Sequence, residues 1–257
     1  MLSGLVTALR TLTVFTVPGK DTETFSSSLF WFPVVGLLLG LIQTAIGYAG
    51  YAAGWNELAA ALVVLGGIIL TRGMHVDGLA DLADGFWGGK TPEAALRIMK
   101  DPNVGSFGAI ALSGMLLLKW IAVVKLVALG AFGFIAAGVL LARWVQVLLA
   151  STLPYARSEG GTARSFVNGA GWLHTLVTSA VTFFFLFPLL HFELYPFAVA
   201  VIAALGAGLI IGILSYRKIG GVTGDVLGAV SELTELFVWI AGALYGMQYP
   251  LETVIGG

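Results

Sequence analysis

Residues 28–53, SLFWFPVVGLLLGLIQTAIGYAGYAA, contain no Asp, Glu, Lys or Arg. A helix needs about 20 mostly apolar residues to cross the hydrocarbon core of a bilayer, and this stretch is long enough alone. Outward from it long apolar runs recur at Leu58–Thr71 (shorter), Ala109–Leu129, Ala131–Leu153, Trp172–Leu190, Phe197–Tyr216 and Val226–Gly246. Alternating ten-residue strands, the mark of a membrane barrel, are missing. Phe30, Trp31, Trp55, Tyr155, Trp172 and Tyr195 flank the runs, where interfacial aromatics belong. The reading is all-α: a polytopic transmembrane helical bundle of about seven spans, one integral-membrane domain over residues 1–257.

Composition agrees. Hydrophobic residues make up 58% of the chain and charged residues 11%, with a mean hydropathy of +0.95; a soluble domain carries about 25% charged residues. Too little polar surface remains to cover a water-soluble globule, which excludes a disordered chain and an ordinary cytosolic enzyme. A net charge of −1 excludes nucleic acid as a partner and leaves membrane lipid as the surroundings. The absence of cysteine removes disulfides, thiolate metal sites and thiol nucleophiles.

Ahead of the first span, Leu2, Leu5, Val6, Leu9 and Leu12 recur at helical spacing. They predict an interfacial amphipathic helix within residues 1–20 that ends at Pro18-Gly19. With the N-terminus inside, seven spans place Arg10, Lys20, Arg72, Lys90, Arg97, Lys100, Arg157, Arg164, Arg217 and Lys218 on the cytoplasmic side. Only Lys125 falls near an outer end. Three longer loops, 72–108, 152–171 and 217–225, share that basic side and hold most of the polar residues.

Three of the fourteen acids stand within eight positions, Asp77-Gly-Leu-Ala-Asp81-Leu-Ala-Asp84. On a helix they fall within an arc of about 60°. Each carboxylate would cost roughly 2.5–3.5 kcal/mol at the centre of a lipid-facing span. They must face a polar cavity or the membrane surface, and their mutual repulsion asks for a hard cation such as Mg²⁺ or Mn²⁺. A second acidic set follows at Asp225, Glu232 and Glu235, with Thr223-Gly224-Asp225 reading as a helix start. Glu232 lies inside an apolar span and is a functional candidate by that fact.

The cations complete the picture. Thr91-Pro92-Glu93 opens a short helix that stops at Asp101-Pro102. Gly105-Ser-Phe-Gly108 is either a loop-to-helix turn or a set of amides near a phosphate. Arg157 and Arg164 flank Ser158-Glu-Gly-Gly161, as a phosphate clamp or as positive-inside anchors. Lys119 and Arg143 lie inside spans and must pair, either with acids or with substrate phosphate. His75 stands beside the acidic cluster. Carboxylates, a divalent metal and Arg/Lys on one face suit phosphoryl or nucleotidyl transfer, with one aspartate as general base on an attacking hydroxyl. No phosphate-binding G-x-x-x-x-G-K-[ST] loop, G-x-S-x-G elbow or H-E-x-x-H helix occurs.

Gly73-Met-His75-Val-Asp77-Gly-Leu-Ala-Asp81-Leu-Ala-Asp84-Gly, followed by Arg97-Ile-Met-Lys100-Asp101 and Gly105-Ser-Phe-Gly108, closely resembles the cobalamin synthase family. Further matching blocks are Phe32-Pro33-Val-Val-Gly36, Ala142-Arg143-Trp144, Tyr155-Ala-Arg157 and Gly221-Val-Thr-Gly224-Asp225-Val-Leu-Gly228. The resemblance covers nearly the whole chain. It implies an adenosylcobinamide-GDP ribazoletransferase, an inner-membrane enzyme of prokaryotes with its active site facing the cytoplasm. Such an enzyme joins adenosylcobinamide-GDP to α-ribazole or its 5′-phosphate, releases GMP and requires Mg²⁺. By position it implies Asp77, Asp81 and Asp84 as catalytic and metal-binding residues, with Asp225 as a further ligand. Lys100, Arg143, Arg157, Arg164 and Glu232 are expected at the substrate. Self-association, or assembly with other corrin-assembly enzymes, is a further expectation.

Two other readings compete. Asp81-x-x-Asp84-Gly is similar to the first part of the CDP-alcohol phosphotransferase motif of phospholipid head-group enzymes, but Phe86-Trp87-Gly88-Gly89 stands where that motif continues with Ala-Arg. A cation-coupled transporter would also use intramembrane acids, near the midplane and often in repeated halves.

Overall fold

A computed structural model describes residues 2–249. Its helices are α1 (Leu2–Leu12), α2 (Phe32–Ala52), α3 (Asn56–Leu70), α4 (Met74–Gly88), α5 (Pro92–Ile98), α6 (Ser106–Ala128), α7 (Phe132–Thr152), α8 (Arg164–Val167), α9 (Trp172–Leu189), α10 (Leu194–Ile219) and α11 (Gly224–Gln248). A 3₁₀ segment, Phe25–Trp31, leads into α2. Among the described residues there is no strand, only an isolated parallel bridge between Tyr155 and Val222.

Among the described residues, six helices are long and apolar enough to cross a membrane: α2 with its 3₁₀ lead, α6, α7, α9, α10 and α11. The remaining expected span, Leu58–Thr71, is covered by α3, which is too short to count alone and meets α4 at 87°. The 15 residues of α3 pack against α2 and α6. Near its start the Glu57 carbonyl accepts the Trp120 indole N–H, late in α6; at its end the Leu70 carbonyl accepts the Val14 amide, just after α1. Helix α4 packs against α11 and α6, with His75 near its start buried beside Arg143 and Asp84 in its later half at the start of α6. Much of the expected 72–108 loop is helical.

The core is α7, buried along most of its length against α2, α11, α9 and α10. The outer faces of α2, α3, α6, α9 and α10 present Leu38, Leu62, Leu117, Phe184, Ile202 and Leu209. A continuous apolar exterior of this kind suits lipid and not water. Basic side chains gather at the α4 end: Arg72 donates to the Arg10 carbonyl, Lys218 to the Phe86 carbonyl, and Arg157 to Asp225.

Helix α1 exists, but it stops at Leu12 and not at Pro18-Gly19. The Thr13 hydroxyl accepts the Phe15 amide, and the Val14 amide turns to Leu70, so the backbone leaves the helix through other hydrogen bonds. The short helix after Thr91 and the start of α11 follow their caps. The Thr91 hydroxyl accepts the Ala94 amide at 3.2 Å, and the Thr223 hydroxyl accepts the Val226 amide at 3.3 Å.

Helices α4 and α11 cross at close range through Gly78. A Cβ there would stand 2.9 Å from the backbone of Asp225. Gly78→Val is expected to force the two helices apart and destabilise the protein by about 1–3 kcal/mol, the usual scale of overpacking. A lowered midpoint of thermal unfolding in detergent would check it.

Candidate active site

The acidic face of α4 is graded. Asp77 is exposed, Asp81 half-buried and Asp84 buried. Asp84 is already engaged: its two oxygens accept the backbone amides of Gly105 at 2.7 Å and Gly108 at 2.9 Å. The first turn of α6 has free N–H groups, and a carboxylate there satisfies both orphan donors and the helix dipole. Glycine is needed at both positions, since a Cβ on either would lie within 2.5 Å of the Asp84 carboxylate. The Gly105–Gly108 turn is thus a loop-to-helix turn whose amides serve Asp84.

Asp225 reaches the same face from the first turn of α11. Two backbone hydrogen bonds around the Tyr155 bridge fix its neighbour: the Ala156 amide donates to the Val222 carbonyl at 2.9 Å, and the Val222 amide to the Pro154 carbonyl at 2.8 Å. This splint carries Arg157 to Asp225, where Nη2 donates to Oδ2 at 2.7 Å. The Thr223 hydroxyl also donates to Asp225 Oδ2, at 3.2 Å. Burial first, then the charges of Asp225 and Asp77, push the Asp81 carboxyl up to about 7, against the pull of Arg157. The face holds more negative charge than its one nearby guanidinium offsets.

Beyond Arg157 opens a charged cleft of about 340 Å³ lined by Arg97, Lys100, Arg157, Ser158 and Glu159, among others. Lys100 and Glu159 pair at 2.9 Å, and that lysine holds the Glu159 carboxyl below its ordinary value. Burial raises the Tyr155 hydroxyl above its ordinary value. Arg164 stands apart from this cleft, exposed, with Nη1 directed at the Ser158 carbonyl at 3.4 Å. Arg97 is the cleft residue that sequence reasoning did not single out; its place in the last turn of α5, one turn from Lys100, was the signal.

Arg143 and Glu232, both expected at the substrate, sit inside the bundle and away from the acidic face of α4. Seven residues beyond Asp225, Glu232 is about 10 Å deeper along α11. Lys119 of α6 pairs with Glu232 at 2.7 Å and with Glu235 at 2.6 Å. Arg143 of α7, buried, donates to the Ser231 hydroxyl, stands 3.6 Å from Glu235 and approaches His75 Nδ1 at 3.4 Å. Two cations and two carboxylates balance inside the bundle, with Trp239 beneath the Lys119 ammonium. Desolvation explains the choice: a span with two buried acids needs its countercharges on neighbouring spans.

The donors at the α4 face are all carboxylate oxygens, which suits a hard divalent cation and not zinc. Among the described residues, however, no three His, Cys, Asp or Glu side chains converge closely enough to hold a metal ion. Asp84 is spent on amides and Asp225 is turned to Arg157. A cation would have to draw Asp225 away from that arginine, which leaves the guanidinium free for an anion.

The profile described as Cobalamin-5-phosphate synthase matches residues 4–243. The chain belongs to this family. Among its relatives, a protein of Pelodictyon phaeoclathratiforme is 77% identical over 248 residues, covering 95% of this chain and 98% of that one. One of Chlorobium chlorochromatii is 64% identical over 252 residues, covering 98% and 100%. A more distant one of Syntrophobacter fumaroxidans is 34% identical over 251 residues, covering 95% and 99%. All three carry the name adenosylcobinamide-GDP ribazoletransferase. The chain is accordingly a cobalamin-biosynthesis transferase of this type. No solved structure matches it.

The graded face separates a holding role from a reacting one. Asp84→Ala would orphan two amides, and hydrogen bonds to a charged group contribute about 1.5–3 kcal/mol each. Its thermal unfolding midpoint is expected to fall clearly, whereas Asp77→Ala, at an exposed position, is expected to unfold with the parent. Differential scanning fluorimetry of both variants in one detergent checks the contrast.

Proposed function

We propose that this chain joins adenosylcobinamide-GDP to α-ribazole or α-ribazole 5′-phosphate and releases GMP, at the cytoplasmic face of a prokaryotic inner membrane. The observation that carries the reading is the meeting of Asp77, Asp81 and Asp225 with Arg157 at the edge of a cation-lined cleft. The clustering of basic residues at that same end of the bundle supports the cytoplasmic orientation.

In the reaction a ribazole hydroxyl oxygen forms a bond to the corrin-side phosphorus of the pyrophosphate. The bond from that phosphorus to the bridging oxygen breaks, and GMP leaves with the electron pair. The hydroxyl proton passes to a carboxylate of the α4 face. Arg157, released from Asp225, and Lys100, released from Glu159, bind the pyrophosphate oxygens and the charge that grows on the leaving phosphate. Asp84 holds the start of α6 against α4, so the face keeps its shape. Mg²⁺ would be held by Asp77, Asp81 and Asp225, and when bound it supplies countercharge for the pyrophosphate. That carboxylates crowd here with so little opposing charge supports a cation in the working enzyme.

No observation favours a phospholipid head-group transferase. The buried acids of α11 are neutralised by Lys119 and Arg143 and lie away from the acidic face, which gives a transporter no open charged path.

Purified full-length protein in nanodiscs is expected to release GMP from adenosylcobinamide-GDP plus α-ribazole only with a divalent cation, and to stop on chelation. Asp81→Ala should lower the rate by about a hundredfold or more, the scale of losing one preorganised electrostatic group. Release that survives chelation and the substitution would refute the assignment. Chromatographic quantification of GMP is the measurement.

A further inference from the structure

A second cavity, of about 420 Å³, opens between the 3₁₀ segment, the start of α4, α8 and the first turns of α11. It falls within the roughly 300–1,000 Å³ of ordinary small-molecule sites. Its walls are unlike those of the cleft at Arg157. Phe25, Phe32, Phe166 and Met74 line it, and among the described residues no Lys, Arg, Asp or Glu does. Phe166 meets Phe25 edge-on at 5.5 Å and Phe32 at 6.1 Å, forming an aromatic wall. Gly224, next to Asp225, lines the cavity too, as do Met74 and His75, one turn before Asp77. The cavity therefore adjoins the acidic face.

Two lining side chains keep a buried polar atom without a partner: His75 Nε2 and Gln146 Oε1. Both residues are nearly inaccessible, at 2% and 3% exposure. Their other atoms fix what is left over. A guanidinium can only donate, so the Arg143 Nη2 at 3.4 Å makes His75 Nδ1 an acceptor and puts the proton on Nε2. Gln146 Nε2 donates to the Leu227 carbonyl at 2.9 Å, which leaves its oxygen as acceptor. An unpaired buried polar group costs about 1–3 kcal/mol, so one donor and one acceptor here ask for a ligand.

We propose that this cavity receives the base of the acceptor nucleoside, so that its sugar hydroxyls lie at the acidic face. The inference rests on the function proposed above. Ribazole carries a methylated benzimidazole: apolar, flat, with one free ring nitrogen as acceptor and no N–H. The aromatic wall matches its faces, and His75 Nε2–H matches its single nitrogen. A sugar hydroxyl matches Gln146 Oε1. Guanine does not fit, because its several donors and acceptors would be left unpaired against phenylalanine. The GDP half of the other substrate belongs in the charged cleft, so the two substrates reach the carboxylates from separate cavities.

The test uses full-length protein in nanodiscs, with Thr162→Trp, an exposed lining position that narrows the cavity, and Phe166→Ala, which removes part of the aromatic wall. Initial rates of GMP release are measured against each substrate, and binding of α-ribazole alone is followed by calorimetry. Both variants are expected to raise KM for α-ribazole about tenfold, the scale of one lost aromatic contact, with KM for adenosylcobinamide-GDP unchanged. Free dimethylbenzimidazole should compete for the binding and guanosine should not. Unchanged KM and binding for α-ribazole in both variants overturn the proposal. So does a rise confined to adenosylcobinamide-GDP, or equal competition by an alkyl chain, which would mark a lipid cleft. If the wild type binds α-ribazole in a Thr162-sensitive way yet releases no GMP, the cavity stands and the proposed reaction falls.

Discussion

Glu232 and Glu235 can lie inside an apolar bundle only because Lys119 and Arg143 answer them from two other helices. Such a buried quartet is weak evidence for net stability, since desolvation consumes most of the attraction. Removing one member, however, strands a charge and costs roughly 3–5 kcal/mol. Its structural effect is on rotation and register. Helix α11 can turn neither way without unpairing an acid, so Asp225, two turns nearer the basic end, is aimed at α4. Arg143 extends the same constraint to α4 itself through His75.

With α11 fixed, the outer site follows from local contacts. Gly78 lets α4 approach the backbone of Asp225, and the bridge from Pro154–Ala156 to Val222 sets Arg157 against its carboxylate. Asp84 anchors α6. What remains free is Asp77, Asp81 and a carboxylate shared with an arginine. The ion pair between Arg157 and Asp225 is 14–21% exposed, dry enough to hold and near enough to the surface to open when an anion and a cation arrive together.

Much of this was legible in the sequence. Long apolar runs gave six of the spans, because the bilayer sets length and composition directly. Thr91 and Thr223 announced their helices by hydroxyl caps, and the spacing of Asp77, Asp81 and Asp84 put them on one face. Less legible was which way a charge inside a span points. In lipid an apolar face carries no inside-outside signal, so the partners of Lys119, Arg143 and Glu232 could be read only from the packed helices. The same holds for Asp84: its spacing matches that of its neighbours, and only the arrival of Gly105 and Gly108 from another helix gives it a different task. The end of the short span near Thr71 was legible, and the break falls there at Arg72–Gly73, both left-handed with φ of 55° and 70°; less legible was how much of the following loop is helical.

Scarce charge in this chain is sorted into two sets, one neutralised within the bundle and one left in excess at its end. The central proposal is that the excess set at α4 and α11 binds a divalent cation once Asp225 leaves Arg157. Mn²⁺ binding to the purified full chain, followed by electron paramagnetic resonance, tests it without reference to turnover. The account predicts saturable binding that Asp81→Ala and Asp225→Ala each weaken strongly. Equal Mn²⁺ affinity in the wild type and both variants would contradict it.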